Sequence, residues 1–202
     1  MMNIEKRSLV FGATAAIFGA GAMLAATSAS AAQNPREQFR KKHFPNVPLI
    51  THTGESVLLY DDLLKDKKVV INFMYTVCSD TCSLTTQNIK QARVLLGDLA
   101  KDINFYSFSL TPLEDDPAAL RAYMDMHEVG STGWTFLTGT PDNIERVRQG
   151  LGFVQQDPIE DADISSHASM LRVGNEKMVS WGHASGTTSG RSIARKIRFE
   201  FS

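Results

Sequence analysis

Two cysteines hold most of the chemistry this sequence offers, and they are the only two in 202 residues. Cys78 and Cys82 close the run Val69-Val70-Ile71-Asn72-Phe73-Met74-Tyr75-Thr76-Val77-Cys78-Ser79-Asp80-Thr81-Cys82. Its β-branched and aromatic residues have the composition of a buried strand, and helical periodicity follows. The C-x3-C pair therefore stands at a strand-to-helix turn, where the orphan N–H groups and dipole of a helix N-terminus favour thiolate. Such a dithiol can exchange disulfides with a partner or close on itself. As a purely structural staple it is weak, since a five-residue loop contributes only about 2 kcal/mol against about 4.7 for a 100-residue loop.

The elements that must position this pair follow from the flanking patterns. A central strand is expected at Val69–Thr76. Ile89, Ala92, Leu96 and Leu99 recur at helical spacing after Cys82, and Ile103, Phe105 and Phe108 to Leu110 give a second strand. Strand, helix and strand then form a right-handed parallel crossover. Asp115-Asp116-Pro117 and Thr140-Pro141-Asp142 each announce a helix by an acidic or hydroxyl cap with proline in the first turn, and Trp134 to Leu137 is a short strand between them. Met170 to Val173 and Met178 to Trp181 flank Gly174-Asn175-Glu176-Lys177 as a hairpin, and Ser189 caps a last helix through Ile193 and Ile197. Upstream, Phe44–Ile50 and Gly54–Tyr60 read as a hairpin, and Asp61–Leu64 as a helical turn. The expected class is α/β: a thioredoxin-like fold with an N-terminal β-hairpin extension and an inserted α-β-α segment.

With 43% apolar and 21% charged residues, the composition suits one globular domain with an ordinary core. A formal net charge of -1 and a pI near 6.5 leave no basic field for a phosphate backbone, so nucleic acid is not an expected partner. Residues 1–32 are expected to be an address. Lys6-Arg7 precede an apolar, Ala/Gly-rich run from Leu9 to Ala26, and Thr27-Ser28-Ala29-Ser30-Ala31-Ala32 offers small residues for cleavage after Ala31 or Ala32. The alternative is a retained membrane anchor, because that run lies near the lower limit for a span. Residues 33–43 read as a flexible leader and 44–202 as the thioredoxin-like domain. A periplasmic location follows, where paired thiols tend to a disulfide unless a reductant or a metal holds them.

Phe73-Met74-Tyr75-Thr76-Val77-Cys78-Ser79-Asp80-Thr81-Cys82 resembles the F-x-Y-T-x-C-P-D-x-C motif of the Sco/SenC proteins, and Ser109-Leu110-Thr111-Pro112-Leu113-Glu114-Asp115-Asp116-Pro117 is similar to that family's S-x-D-P-x-x-D-x-P segment. His167 occupies the place of the family's distal histidine. The resemblance implies a thioredoxin-fold copper-binding protein associated with cytochrome c oxidase assembly, with Cys78, Cys82 and His167 as ligands. The chain departs from the pattern at Ser79, Thr111 and Ser166, where proline, aspartate and aspartate are usual. The residue types agree with the implied metal: two thiolates and an imidazole suit copper, Cu(I) especially. Cys78 and Cys82 share one helical face. A structural zinc would want a fourth protein ligand, and none is evident.

The expected function is a periplasmic copper chaperone delivering to an apo-cuproprotein such as a cytochrome c oxidase subunit, served by a thiol reductant, with membrane contact only if residues 1–32 are retained. The alternative is a thiol-disulfide oxidoreductase in which Cys78 attacks and Cys82 resolves. Against an ordinary reductase, the spacing is x3 rather than x2, and Ser166-His167-Ala168 stands where a Thr-Pro dipeptide would precede the late strand. A peroxide-reducing enzyme is disfavoured because Pro-x-x-x-Thr-x-x-Cys is absent. His183 is a substitute ligand by type, but its glycine-rich surroundings suit a solvated turn. His52, His127 and His43 need no function. Met170 and Met178 read as core packing. Asp157, Glu160, Asp161 and Asp163 read as a solvated loop, and Tyr75 as packing beside the thiols.

Overall fold

The computed structural model describes residues 35–78, 81–130 and 133–202. The expected signal at residues 1–32 lies outside them, as do Ser79 and Asp80. No helix among the described residues is long and apolar enough to cross a membrane.

A seven-stranded sheet organises the domain in the order β2-β1-β5-β4-β3-β6-β7. Its centre is β3 (Lys68–Met74), parallel to β4 (Ile103–Ser109) and antiparallel to β6 (Met170–Asn175). Strand alternation splits β3 between two cores. Val70 and Met74 pack with α2 (Thr81–Leu96), α3 (Pro117–Met126) and α6 (Gly190–Phe201). Val69, Ile71 and Phe73 pack on the other face with residues of α4 (Pro141–Gly150). One polar residue interrupts the buried strand. Asn72 accepts at Oδ1 from Ser107 Oγ at 2.7 Å, and Ser107 Oγ accepts from Trp134 Nε1 at 2.9 Å. That relay satisfies three buried groups at once.

The inserted segment contributes α3, β5 (Trp134–Thr138) and α4, with β5 parallel to β4, and the short α5 (Pro158–Ala162) follows. The hairpin of β1 (Pro48–Thr51) and β2 (Ser56–Leu58) adds to the outer side of β5. The expected caps form: Asp116 accepts from Ala119 N, Thr140 from Asn143 N and Ser189 from Ser192 N. The helical turn after β2 is wider than expected, a π-helix over Leu59–Leu64 that buries Leu59, Tyr60, Leu63 and Leu64.

Two expectations are corrected. Residues 35–43, expected to be a flexible leader, form α1 (Pro35–His43). Arg36 Nε donates to the buried carboxylate of Glu176 at 3.0 Å, and a second Arg36 nitrogen reaches the same group. The Arg40 guanidinium lies 4.7 Å from the Tyr60 ring centroid. These anchors are remote in sequence, so the polar composition of the segment gave no sign of them. The final hairpin also turns later than expected. Glu176 is drawn inward by Arg36, the Tyr60 hydroxyl and Asp66 N, so the turn falls on Glu176–Met178 and β7 (Ser180–Ser185) starts after Val179, whose φ is +55°. Met178, expected in the core, is 70% exposed. Burial works against the charge on Glu176, but its three donors prevail and hold the carboxyl below its usual value.

Candidate thiol and imidazole site

The register gathers the candidate residues at one end of the sheet. Met74 at the end of β3 pairs with Ser109 at the end of β4, and Asn72 pairs with Leu171 near the start of antiparallel β6. The cysteine turn, the Ser109–Asp115 loop and the approach to β6 that carries His167 therefore share the C-terminal edge of the central parallel pair, where open α/β sheets place their sites.

Cys78 ends the turn after β3, its N–H donating to the Tyr75 carbonyl at 3.2 Å, and Cys82 lies in the first turn of α2. The backbone N–H of Cys82 donates to Cys78 Sγ at 3.3 Å. The proximity of Cys78, with burial and the second sulfur, pushes the Tyr75 hydroxyl up to about 12. A backbone donor thus meets the Cys78 sulfur, and a donor aimed at a titratable atom favours its charged form. Both side chains are thiols rather than a disulfide, 9% exposed at Cys78 and 1% at Cys82. Burial is the main reason that the Cys82 thiol is pushed well above the ordinary thiol range, reinforced by its hydrogen bond with Cys78.

A residue read as part of a helix cap and of the family-like segment turns out to hold this turn. Asp115 is 0% exposed. Its carboxylate accepts from Thr76 N at 3.2 Å, Thr76 Oγ1 at 2.5 Å, Ser109 Oγ at 2.6 Å and Thr111 Oγ1 at 3.0 Å. The available signal was the group of hydroxyls at positions 76, 109 and 111. Thr111, where the family pattern has aspartate, acts here as a donor.

His167 is 1% exposed, at the end of a 3-10 turn over Ile164–His167. Asp163 starts that turn, accepting from Ser165 N at 2.9 Å and Ser165 Oγ at 2.8 Å. The Ala168 carbonyl accepts from Thr85 Oγ1 at 3.4 Å, which ties the loop to α2 one turn beyond Cys82. His167 Nε2 lies 2.9 Å from the Asp161 carbonyl oxygen, while Nδ1 is buried with no hydrogen-bond partner among the described residues. A buried imidazole nitrogen without a partner suits a metal ligand, as do two adjacent sulfurs. The three side chains are nevertheless not gathered around one point: among the described residues, no group of three His, Cys, Asp or Glu is arranged to hold an ion. The structure pairs the cysteines and does not gather the imidazole with them.

The other candidates fall elsewhere. His183 is exposed on β7, opposite Arg172. His52 Nδ1 accepts from Phe136 N at 3.3 Å, and the His127 ring lies 4.2 Å from that of Tyr123. The acidic stretch is more than a solvated loop, because Asp161 is ion-paired to Arg148 at 2.8 Å. A cleft of about 430 Å³ opens beside His167, lined by Pro112, Pro141, Pro158, Ile164, Arg148 and others, with neither cysteine in its wall.

Comparison with known proteins identifies the fold and the family. Protein SenC of Rhodobacter capsulatus is 22% identical over 187 residues, covering 88% of this chain and 82% of that protein. BsSco, a member of the Sco family of cytochrome c oxidase assembly proteins with a disulfide switch, superposes with a TM-score of 0.63 at 20% identity, covering 79% of this chain and 93% of that one. ScoI of Bradyrhizobium japonicum with copper bound gives a TM-score of 0.58 at 20% identity, with 76% and 96% covered. The sequence model of the family described as SCO1/SenC matches residues 35–201, which takes in every element from α1 to α6 together with both thiols and the imidazole, and this chain belongs to that family.

Proposed function

We propose that this protein is a periplasmic copper-binding metallochaperone. In this reading the thiolates of Cys78 and Cys82 and the Nδ1 atom of His167 hold Cu(I) as cargo and pass it by ligand exchange to an apo-cuproprotein such as cytochrome c oxidase. The observation that carries the reading is the buried, partnerless Nδ1 of His167 at the same sheet edge as two adjacent soft donors. Copper in the Bradyrhizobium relative and the oxidase-assembly role of BsSco's family support copper as the cargo and an oxidase as the client. The apolar run in residues 1–32 supports export, with a membrane contact if that run is retained.

Loading requires two adjustments. The His167 turn must move toward the sulfurs, and its tether to Thr85 limits that motion to a local closure. Cys82 must also give up its proton, because its thiol is held in the neutral form by burial. Metal binding therefore releases a proton and weakens as pH falls.

Anaerobic titration of the reduced protein with Cu(I) against a competing chelator tests the reading. One equivalent should bind, with affinity lost in C78S and reduced in H167A. Absence of competition by the wild type overturns it.

A second reading rests on the asymmetry of the thiols. Cys78 Sγ receives the Cys82 N–H, whereas Cys82 is the more buried and its thiol is pushed up by that burial. In a thiol-disulfide oxidoreductase, Cys78 thiolate would attack a partner disulfide and release one partner thiolate. Cys82, on losing its proton, would then attack Cys78 Sγ, expel the second thiolate and leave the Cys78–Cys82 disulfide for a thiol reductant to reopen. Turnover of a disulfide substrate at rates independent of His167 would favour this reading.

A further inference from the structure

One buried guanidinium decides which nitrogen of His167 is available. Arg148, on α4, is 6% exposed. Its Nε donates to Glu145 Oε2 at 2.8 Å. Nη1 donates to the Phe153 carbonyl at 2.6 Å and to Asp161 Oδ1 at 2.8 Å. Nη2 donates to Glu145 Oε1 at 2.7 Å and to Asp161 Oδ2 at 2.9 Å. Guanidinium has five N–H bonds, and these five acceptors engage all of them. The 3.2 Å approach of Nη1 to His167 Nε2 is then a contact with no proton left to share. Nε2 must carry its own proton, which it donates to the Asp161 carbonyl at 2.9 Å. The lone pair is left on Nδ1.

The carbonyl that receives this proton is itself held in place. The Asp161 carboxylate is gripped by both Arg148 amino groups and by Gln155 N at 2.7 Å. Turning the imidazole over would set a carbon against the carbonyl and lose its bond. Metal-bound histidines commonly donate their other ring N–H to a carbonyl or carboxylate, which fixes tautomer and orientation. Here that support exists without a metal.

The geometry points to Arg148 and Asp161 as positioning residues: they lock His167 in the Nε2–H tautomer and so select Nδ1 as the metal-donor atom. This rests on the reading of His167 as a ligand, but the tautomer is a property of the metal-free protein and can be read separately.

Long-range ¹H–¹⁵N NMR of the metal-free, reduced protein reads the tautomer directly. The wild type should show Nε2 protonated and Nδ1 bare. In D161N, which keeps the size of the side chain, and in R148M, the pattern should move toward a mixture of tautomers. Cu(I) affinity should fall about 10- to 100-fold, the usual penalty for removing a residue that supports a metal ligand. Both cysteines should still alkylate as in the wild type. Should R148M fail to fold, D161N alone decides the matter. An Nδ1–H tautomer in the wild type overturns the proposal, as does a folded D161N with tautomer and affinity unchanged. If the tautomer shifts in D161N while H167A leaves copper affinity untouched, the positioning role stands and the ligand reading fails.

Discussion

The thiols and the imidazole occupy the same edge of the sheet, yet opposite kinds of structure hold them. Cys78 and Cys82 sit between a central strand and a 16-residue helix, in direct contact with the hydrophobic core. His167 sits in a loop made of a five-residue helix and a 3-10 turn, fixed chiefly by charge and backbone hydrogen bonds. Core packing resists displacement over its whole surface, whereas a loop strapped at a few points can move as a unit once a strap yields. On the proposed reading, a protein that must both grip a metal and give it up benefits from the difference: the fixed half would keep two ligands in register, and the movable half would add or withdraw the third.

The contrast can be broken most severely at Asp115. Its carboxylate is the shared acceptor for four donors from three residues, so Asp115→Ala leaves Thr76 N and three hydroxyls without it. Buried donors left unsatisfied cost about 1–3 kcal/mol each, moderated by relaxation. Urea denaturation should show a loss of about 3 kcal/mol, together with faster alkylation of the thiols. A loss below about 1 kcal/mol would show that the cysteine turn is held by packing alone.

A smaller effect distinguishes the two thiols from each other. Because burial raises the pKa of Cys82, less of it is thiolate at any given pH, and each step of one in pKa removes about nine-tenths of what remains. In reduced protein at pH 8, iodoacetamide should modify Cys78 at least about tenfold faster than Cys82, and in C78S the remaining thiol should stay slow until strongly alkaline pH. Equal rates would remove the asymmetry on which the attacking and resolving roles depend.

Local signals were legible in the sequence and remote ones were not. The caps at Asp116, Thr140 and Ser189 act within three residues, and the strand before Cys78 announces itself by composition. Thr85, inside the apolar stripe of α2, carried no mark of its bond to Ala168, 83 residues away. The same holds for α1, whose Arg36 meets Glu176 across 140 residues. The support behind His167 was hidden for a further reason. Arg148 and Asp161 look like ordinary surface charges, and only the folded loop shows that one carboxylate and one guanidinium fix a carbonyl. The resemblance of the cysteine motif implied the three ligand types, but which nitrogen of His167 is left without a partner was readable only from the hydrogen bonds around it.

The central claim is that fixed thiols and a movable imidazole complete one metal shell. X-ray absorption at the copper edge of the Cu(I)-loaded protein measures that shell. Two sulfur scatterers and one nitrogen with the outer-shell signature of imidazole, reduced to sulfur alone in H167A, is the predicted result. A spectrum of two sulfurs without imidazole, identical in wild type and H167A, would contradict it.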